Sequence, residues 1–391
     1  MVLMYNSFMC KIIYLKGLNF LMRNIVKSIG AAVCAAALLC SAGCTGNTKW
    51  SFKTANNELS SGQWILYTFE GLNSAIQKLS TDEESASVDK IDWDSQQIEN
   101  MAAKDWIYAE AKKSAKRYLT LEELAAKYGA EADNGTYVMY KSQYGYFYEN
   151  FYKTLFEKLG IAENSYIDVM AMPSLLEDAV FTKMYGKGGE KEVSDDEVKK
   201  YFTDNYVAYY YVTADLETTD EETSEKTEVS ADEKETIQTN FRKYAVMLND
   251  QGKTTDDVTA QYLVDFSVDT APTTDDATDK SEMTTGALNE AILAVKEGTA
   301  ETKELDGKMY LIYRYDINTK TDSIKGADDD TDGTTSFIAK EDIVKTMKHD
   351  EFEDFIKEQM DALEYDRNDA CVHKYDVSRT INIVLEQTKS S

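Results

Sequence analysis

The chain has 391 residues, 43% of them hydrophobic and 11% aromatic, enough for a sizeable core spread over two or three domains. Two prolines against 26 tyrosines favour long helices over a turn-rich all-β fold. The net charge is −28, and segment 1–43 holds four basic and no acidic residues, so the remainder is more acidic still. A field of that sign repels nucleic acid and argues against it as a partner. It suits solubility, and equally an attraction to basic or unfolded chains.

From Met22 the chain reads MRNIVKSIGAAVCAAALLCSAGC. Arg23 and Lys27 supply a positive start, Ile29 to Cys40 a short apolar stretch, and Ser41, Ala42 and Gly43 the small residues before Cys44. Twelve apolar positions are few for a bilayer span. The ending resembles a bacterial lipobox, with Ser41 where leucine is more usual. That resemblance implies cleavage after residue 43, diacylglycerol on Cys44 and a stable anchor on the extracytoplasmic face of a membrane. Residues 1–21 are not needed by such a leader, so translation is expected to start at Met22. The alternative is an uncut N-terminal membrane anchor. Processing leaves Cys44 and Cys371, which excludes a disulfide framework, and Cys371 reads as structural.

Residues 44–57 are small and polar and read as a tether. Helical periodicity begins near Glu58 and carries Trp64, Leu66, Tyr67, Leu72, Ile76 and Leu79. A second helix is expected from about Asp94 to Tyr128, with a fresh start at Thr120 as N-cap. The helix Tyr137 to Leu159 is rich in aromatics. Tyr140, Tyr144, Phe147, Phe151 and Leu155 recur at helical spacing as a buried stripe, leaving Tyr146, Tyr148 and Tyr152 partly off it. A further helix covers Tyr166 to Tyr185 despite Pro173.

Ser194 opens SDDEVKKYF, an N-cap followed by acidic first-turn residues. Val207 to Val212 (VAYYYV) has strand composition. Residues 215–235 read as a solvated insertion. Helices are expected over about Glu233 to Leu248 and Asp257 to Phe266, then a polar loop over 267–285. A short helix Ala287 to Val295, a strand Met309 to Tyr315 and a long helix from about Ala339 to Leu363 complete the series.

In this order EVSDDEVKKYFTDNY (192–206) resembles the linker helix of the PrsA/SurA-type parvulin foldases. LNEAILAVKEGTAETKELDGKMYLIYRYD (288–316) is similar to their closing helix–turn–strand–strand segment. The resemblance implies an α+β fold, a mainly helical chaperone-like domain with an inserted small parvulin-like α/β domain and a C-terminal helix returning to the helical part. The implied domains are a signal peptide over 1–43, a tether over 44–57, an N-terminal helical domain over 58–194, a degenerate parvulin-like domain over 195–317, and a C-terminal helix and tail over 335–391.

Function follows as an expectation from the same resemblance: a membrane-anchored foldase or chaperone for unfolded, exported polypeptides, without cofactor or metal. Parvulin isomerases place facing histidines on their first and last strands. Here the two histidines, His349 and His373, lie beyond that region, and the first strand carries Tyr209, Tyr210 and Tyr211 instead. No catalytic residue is therefore assigned. Rotation about X-Pro faces a barrier near ~20 kcal/mol, which the tyrosines are poorly equipped to lower. Tyr146, Tyr148, Tyr152, Tyr209 and Tyr211 are the candidate client-binding residues, since each offers an apolar ring with a polar tip. The alternatives are an active parvulin-type prolyl isomerase and a solute-binding or adhesive surface lipoprotein.

Two further motifs are weak. Asp328, Asp330, Asp332 and Gly333 open like a calcium loop, but Ala339 stands where the bidentate acid belongs. The Glu122/Glu123 pair is one of many in so acidic a chain and by itself indicates no acid–base chemistry.

Overall fold

A computed structural model describes residues 48–80, 87–219, 226–283, 285–326 and 338–390. The leader, Cys44 and the Asp328–Gly333 loop lie outside the described residues. Strand β1 (Trp50–Lys53) pairs antiparallel with β2 (Glu58–Ser60) on one side and with the distant segment Asp366–Arg367 on the other. The tether expected over 44–57 therefore ends before Trp50. Phe52 is buried against Trp64 at 5.2 Å between ring centroids, and Asn368 donates from its side chain to the Trp50 carbonyl at 2.8 Å. The partner strand is too far along the chain for a local reading to supply it.

Ser60 caps helix α1 (Ser61–Leu79) in a reciprocal box with Gln63. The next helix starts later than the periodicity suggests. Ile98 and Met101, three apart, belong instead to a hairpin of β3 (Gln97–Ile98) and β4 (Met101–Ala102). Its corner residues Glu99 and Asn100 take φ of 53° and 64°, the left-handed pair of a tight hairpin turn. Helix α2 then runs unbroken from Ala103 to Tyr128 and stops at Gly129, φ 58°.

Thr120 is not a cap but an interior residue, 1% exposed, whose hydroxyl has no hydrogen-bond partner among the described residues. Replacing it by valine removes a stranded polar atom at nearly constant shape. Thr120→Val should stabilise the protein by about 1 kcal/mol, read from the denaturant midpoint.

Asp133 caps α3 (Asn134–Phe147), which passes through a π-turn (Tyr148–Tyr152) into α4 (Lys153–Leu159). Helix α5 (Glu163–Tyr185) carries Pro173 within it and ends at Gly186. The local signal at Ser194 matches the structure: Ser194 and Glu197 form a capping box on α6 (Asp195–Asn205).

Four strands follow in the spatial order β8-β5-β10-β9, all antiparallel. Their ranges are Tyr206–Asp215 for β5, Thr273–Asp279 for β8, Thr299–Leu305 for β9 and Lys308–Arg314 for β10. Strand β8, TTDDATD, was expected as part of a polar loop. It is an edge strand, and edge strands commonly carry polar residues that blunt unwanted pairing, so its composition hides it. A small exposed hairpin, β6 (Glu217–Thr219) and β7 (Lys226–Glu228), projects after β5. Helices α7 (Ala231–Asp250) and α8 (Thr255–Phe266) cover one sheet face through Phe241, Tyr244 and Tyr262, against Tyr210, Val212 and Leu311. Helix α9 (Ala287–Ala294) packs on the other face, Ile292 meeting Val207 and Ile312.

After 3-10 turns at Ile317–Ser323, the short strands β11 (Ile324–Lys325) and β12 (Ile338–Ala339) pair in parallel. Helix α10 (Lys340–Ala362) buries Ile343, Val344, Phe352 and Ile356 in one apolar cluster with Leu124 of α2, Phe181 and Tyr185 of α5, and Phe202 of α6. Arg117 on α2 clamps this seam, meeting Glu177 of α5 at 2.8 Å and Glu353 of α10 at 2.7 Å. The chain closes with β13 (Asp366–Arg367), α11 (Asp369–Lys374) and α12 (Val377–Ser390), whose Val377 and Ile381 join Leu72 and Trp106. Cys371 is fully buried, and burial pushes its thiol up to about 11, as suits a packing role. The fold is mainly helical with small, largely antiparallel sheets.

Candidate functional site

The five candidate tyrosines separate into three environments. Tyr146 is 60% exposed and joins Phe147 and Phe151 in a surface cluster, with ring centroids 6.0 to 6.2 Å apart. Phe151, expected inside, is itself 59% exposed. Tyr148, expected at the surface, is buried and donates its hydroxyl to the Ile161 carbonyl at 3.1 Å. It leaves the list of client contacts. Tyr152 is half-buried and stacks on Phe156 at 5.0 Å, which makes it mainly a packing residue.

One cause explains both reversals. The π-turn adds a residue to the turn, so the inward positions become Tyr144, Tyr148, Tyr152 and Phe156, four apart. Phe151 is thereby rotated to the outside.

Tyr209 and Tyr211 lie on the sheet face that α9 only partly covers. Alternation along β5 points Val207, Tyr209 and Tyr211 to that side, and pairing of Ile312 with Tyr211 brings Tyr310 beside them. The Tyr209 and Tyr211 rings stack at 6.4 Å with 2° between planes, and Tyr310 meets Tyr211 edge-on at 5.8 Å. The three rings form a half-exposed aromatic floor. Neither β5 nor β10 contains a histidine or cysteine. His349 lies on α10, in an open groove of about 500 Å³ shared with Tyr201 of α6, and His373 lies on α11.

A third arrangement was not anticipated. Glu70 of α1, Glu122 of α2 and Asp168 of α5 are three half-buried carboxyls on helices that pack on one another. Burial raises Glu70 to about 7. Burial, with the neighbouring charges of Glu123 and Asp168, raises Glu122 to about 7 although Tyr118 donates a hydrogen bond to it. Asp168 is raised by burial, against a hydrogen bond from Tyr137 and the charge of Lys141. Tyr67, 4% exposed, is raised by burial and then by the Glu70 and Glu122 charges. Its hydroxyl and Glu122 Oε2 have no hydrogen-bond partner among the described residues.

Glu123 next door behaves oppositely. Burial works against its charge, but Thr54, Asn56 and Asn57 donate to it and together hold it below the ordinary range. One carboxylate of the pair is thus a structural acceptor and the other sits among acids. A sequence signal for the buried Glu70 existed: it is the sole charged residue between Glu58 and Lys78. A charge kept in an otherwise apolar helix deserves its own explanation.

No known family profile matches the chain, and no curated protein matches it. Among solved structures it is similar to the foldase protein PrsA from Streptococcus pneumoniae strain Canada MDR_19A, at 16% identity over 69% of this chain and 92% of that one, with a TM-score of 0.28. It is also similar to PrsA from Bacillus subtilis, at 13% identity over 73% of this chain and 88% of that one, with a TM-score of 0.23. Both likenesses are distant.

Proposed function

We propose that this protein is a foldase of the holding kind, which binds unfolded, exported polypeptides while tethered through lipid on Cys44 to the extracytoplasmic face of a membrane. The observation that carries the reading is the surface cluster of Tyr146, Phe147 and Phe151, with two of its three rings more exposed than buried. Exposed aromatics in contact with one another bind apolar segments without demanding a sequence. The floor of Tyr209, Tyr211 and Tyr310 adds a second surface of the same chemistry. In this reading 58–194 and 335–391 form the client cradle, and 195–317 is an appended parvulin-like domain. The seam of α10 against α2 and α5, and the direct pairing of β5 with β10, support that division. The anchor rests on the small residues before Cys44.

Aggregation of a chemically unfolded model protein tests the reading. The protein should suppress light scattering at molar excess, and Tyr146→Ser/Phe151→Ser should need about thirtyfold more protein for the same effect, since each ring contributes about 1 kcal/mol of contact. Both positions are exposed, so the melting temperature of the double variant should stay close to the parent's. Equal suppression by parent and variant removes the surface cluster from the proposal; none by the parent removes the function. Proline-limited refolding should keep its slow phase, because the sheet face offers tyrosines where proton-handling groups would be needed. Acceleration of that phase would instead favour a prolyl isomerase.

A further inference from the structure

We infer that the face built from β13, the start of β1 and one stripe of α2 docks on the anionic phospholipid headgroups of the membrane surface. The inference rests on the proposed lipid anchor at Cys44 and adds to it a preferred side of the domain. Tyr108, Lys112 and Lys116 stand four apart on α2 and so share one side of that helix. Strand β13 runs along this stripe, where the Arg367 guanidinium donates to the Tyr108 hydroxyl at 3.1 Å. Just before β13, the Tyr365 ring lies 6.0 Å from Lys112 Nζ and 5.8 Å from Lys116 Nζ. On its inner side β13 pairs with β1, which sets Lys53 opposite Asp366, and Lys53 Nζ lies 4.8 Å from the Trp50 ring. Lys49 precedes that ring in the chain. Five cations thus accompany two half-exposed aromatics, Trp50 and Tyr365.

Two of the cations are answered locally, Lys53 by Asp366 at 3.8 Å and Arg367 by Asp369 at 2.6 Å. Glu58 stands opposite Lys53 on β2. Lys49, Lys112 and Lys116 have no ion-pair partner among the described residues. In a chain of 70 acidic and 42 basic residues, unpaired lysines on one face run against the average. The acidic remainder does not cancel them, because charges beyond about 8 Å are largely screened in physiological salt. Position decides the occupant. No acidic residue precedes Glu58, and Trp50 lies six positions after Cys44. An extended chain covers at most ~3.6 Å per residue, so Trp50 stays within about 22 Å of the lipidated cysteine. Tryptophan and tyrosine settle at the headgroup level of a bilayer, and neighbouring lysines are drawn to its anionic lipids. The tether holds the patch at high effective concentration beside that surface, so a few weak charge contacts suffice. A soluble acidic partner would gain nothing from the tether.

The test incorporates the lipidated protein into vesicles of phosphatidylcholine alone, or of an equal mixture of phosphatidylcholine and phosphatidylglycerol. Lysines are acylated with a membrane-impermeant reagent and their rates read by mass spectrometry. Lys49, Lys112 and Lys116 should react about fivefold more slowly on the anionic vesicles, the factor of one lysine held at a charged surface. Lys243 of α7 and Lys303 of β9 should react equally on both, and high salt should abolish the difference. Lys112→Gln/Lys116→Gln should return Lys49 to its rate on neutral vesicles, with a melting temperature near the parent's because both side chains are partly exposed. Lys49→Gln, outside every helix, gives the converse comparison, weakening the protection of Lys112 and Lys116. Equal rates on the two vesicles overturn the docking surface and leave the anchor intact, since the protein remains vesicle-bound. Slowing at Lys243 and Lys303 as well also overturns it, because the shielding is then general. So does protection of Lys49 that survives the double substitution. Protein that fails to float with either vesicle removes the anchor, and the docking surface with it.

Discussion

Phe352→Ala should unfold at a clearly lower denaturant concentration than the parent, a loss of about 3–5 kcal/mol. Phe352 is 3% exposed on α10 and sits edge-on to Phe181 at 5.2 Å and to Tyr185 at 6.2 Å, both on α5. Truncation removes an aromatic side chain's transfer energy and leaves a cavity between two long helices that cannot easily close it. Phe355→Ala, on the half-buried flank of the same helix, should cost clearly less. The contrast measures whether α10 belongs to the core formed with α2 and α5. A Phe352→Ala penalty below about 1 kcal/mol would mean that α10 is only loosely laid on that surface.

The second large effect is a stability that falls as pH rises. Glu70 and Glu122 titrate near 7 in the folded protein and near 4.5 when unfolded. Between those values the folded state holds more protons than the unfolded one, so the unfolding free energy declines with pH across that window and levels above it. Two such carboxyls amount to about 3–6 kcal/mol, given the partial solvent access of both. Melting curves at pH 5 and pH 8 should show the loss, and Glu70→Gln/Glu122→Gln should flatten it. Carboxylates held low, such as Glu123, Asp133 and Glu351, have the opposite sign and act below the ordinary carboxylate range, so they leave this window clear. A parent that is equally stable at both pH values contradicts the assignment.

Local chemistry was legible where the partners are close in sequence. Ser194 and Glu197 lie one helical turn apart, and their reciprocal bonds need nothing from elsewhere. The strand composition of 207–212 and the apolar stripe of α10 were likewise readable. The sequence was silent where geometry depends on distant or subtle partners. Trp50–Lys53 becomes a strand only because residues from the other end of the chain lie beside it. Thr273–Asp279 pairs as a polar edge that composition assigns to a loop. The π-turn at Tyr148–Tyr152 moves Tyr148 and Phe151 to opposite sides, and YENFY carries no Gly or Pro that would announce it. Glu70 was visible as a lone charge, but its burial depends on the packing of α1 against other helices.

The pairing of β1 has a consequence in time. Trp50 and Asn368, joined by a side-chain hydrogen bond, are 318 positions apart. At roughly 5–20 residues per second of synthesis, the first strand waits about 15–65 s for its neighbour to exist. Through that interval Phe52 lacks its later cover from Tyr365, which lies 5.7 Å away once the chain is complete. A protein whose work is proposed to be holding unfinished chains therefore begins as one itself, with a first strand that has β2 and Trp64 early but gains its second neighbour only when residues 365–368 emerge.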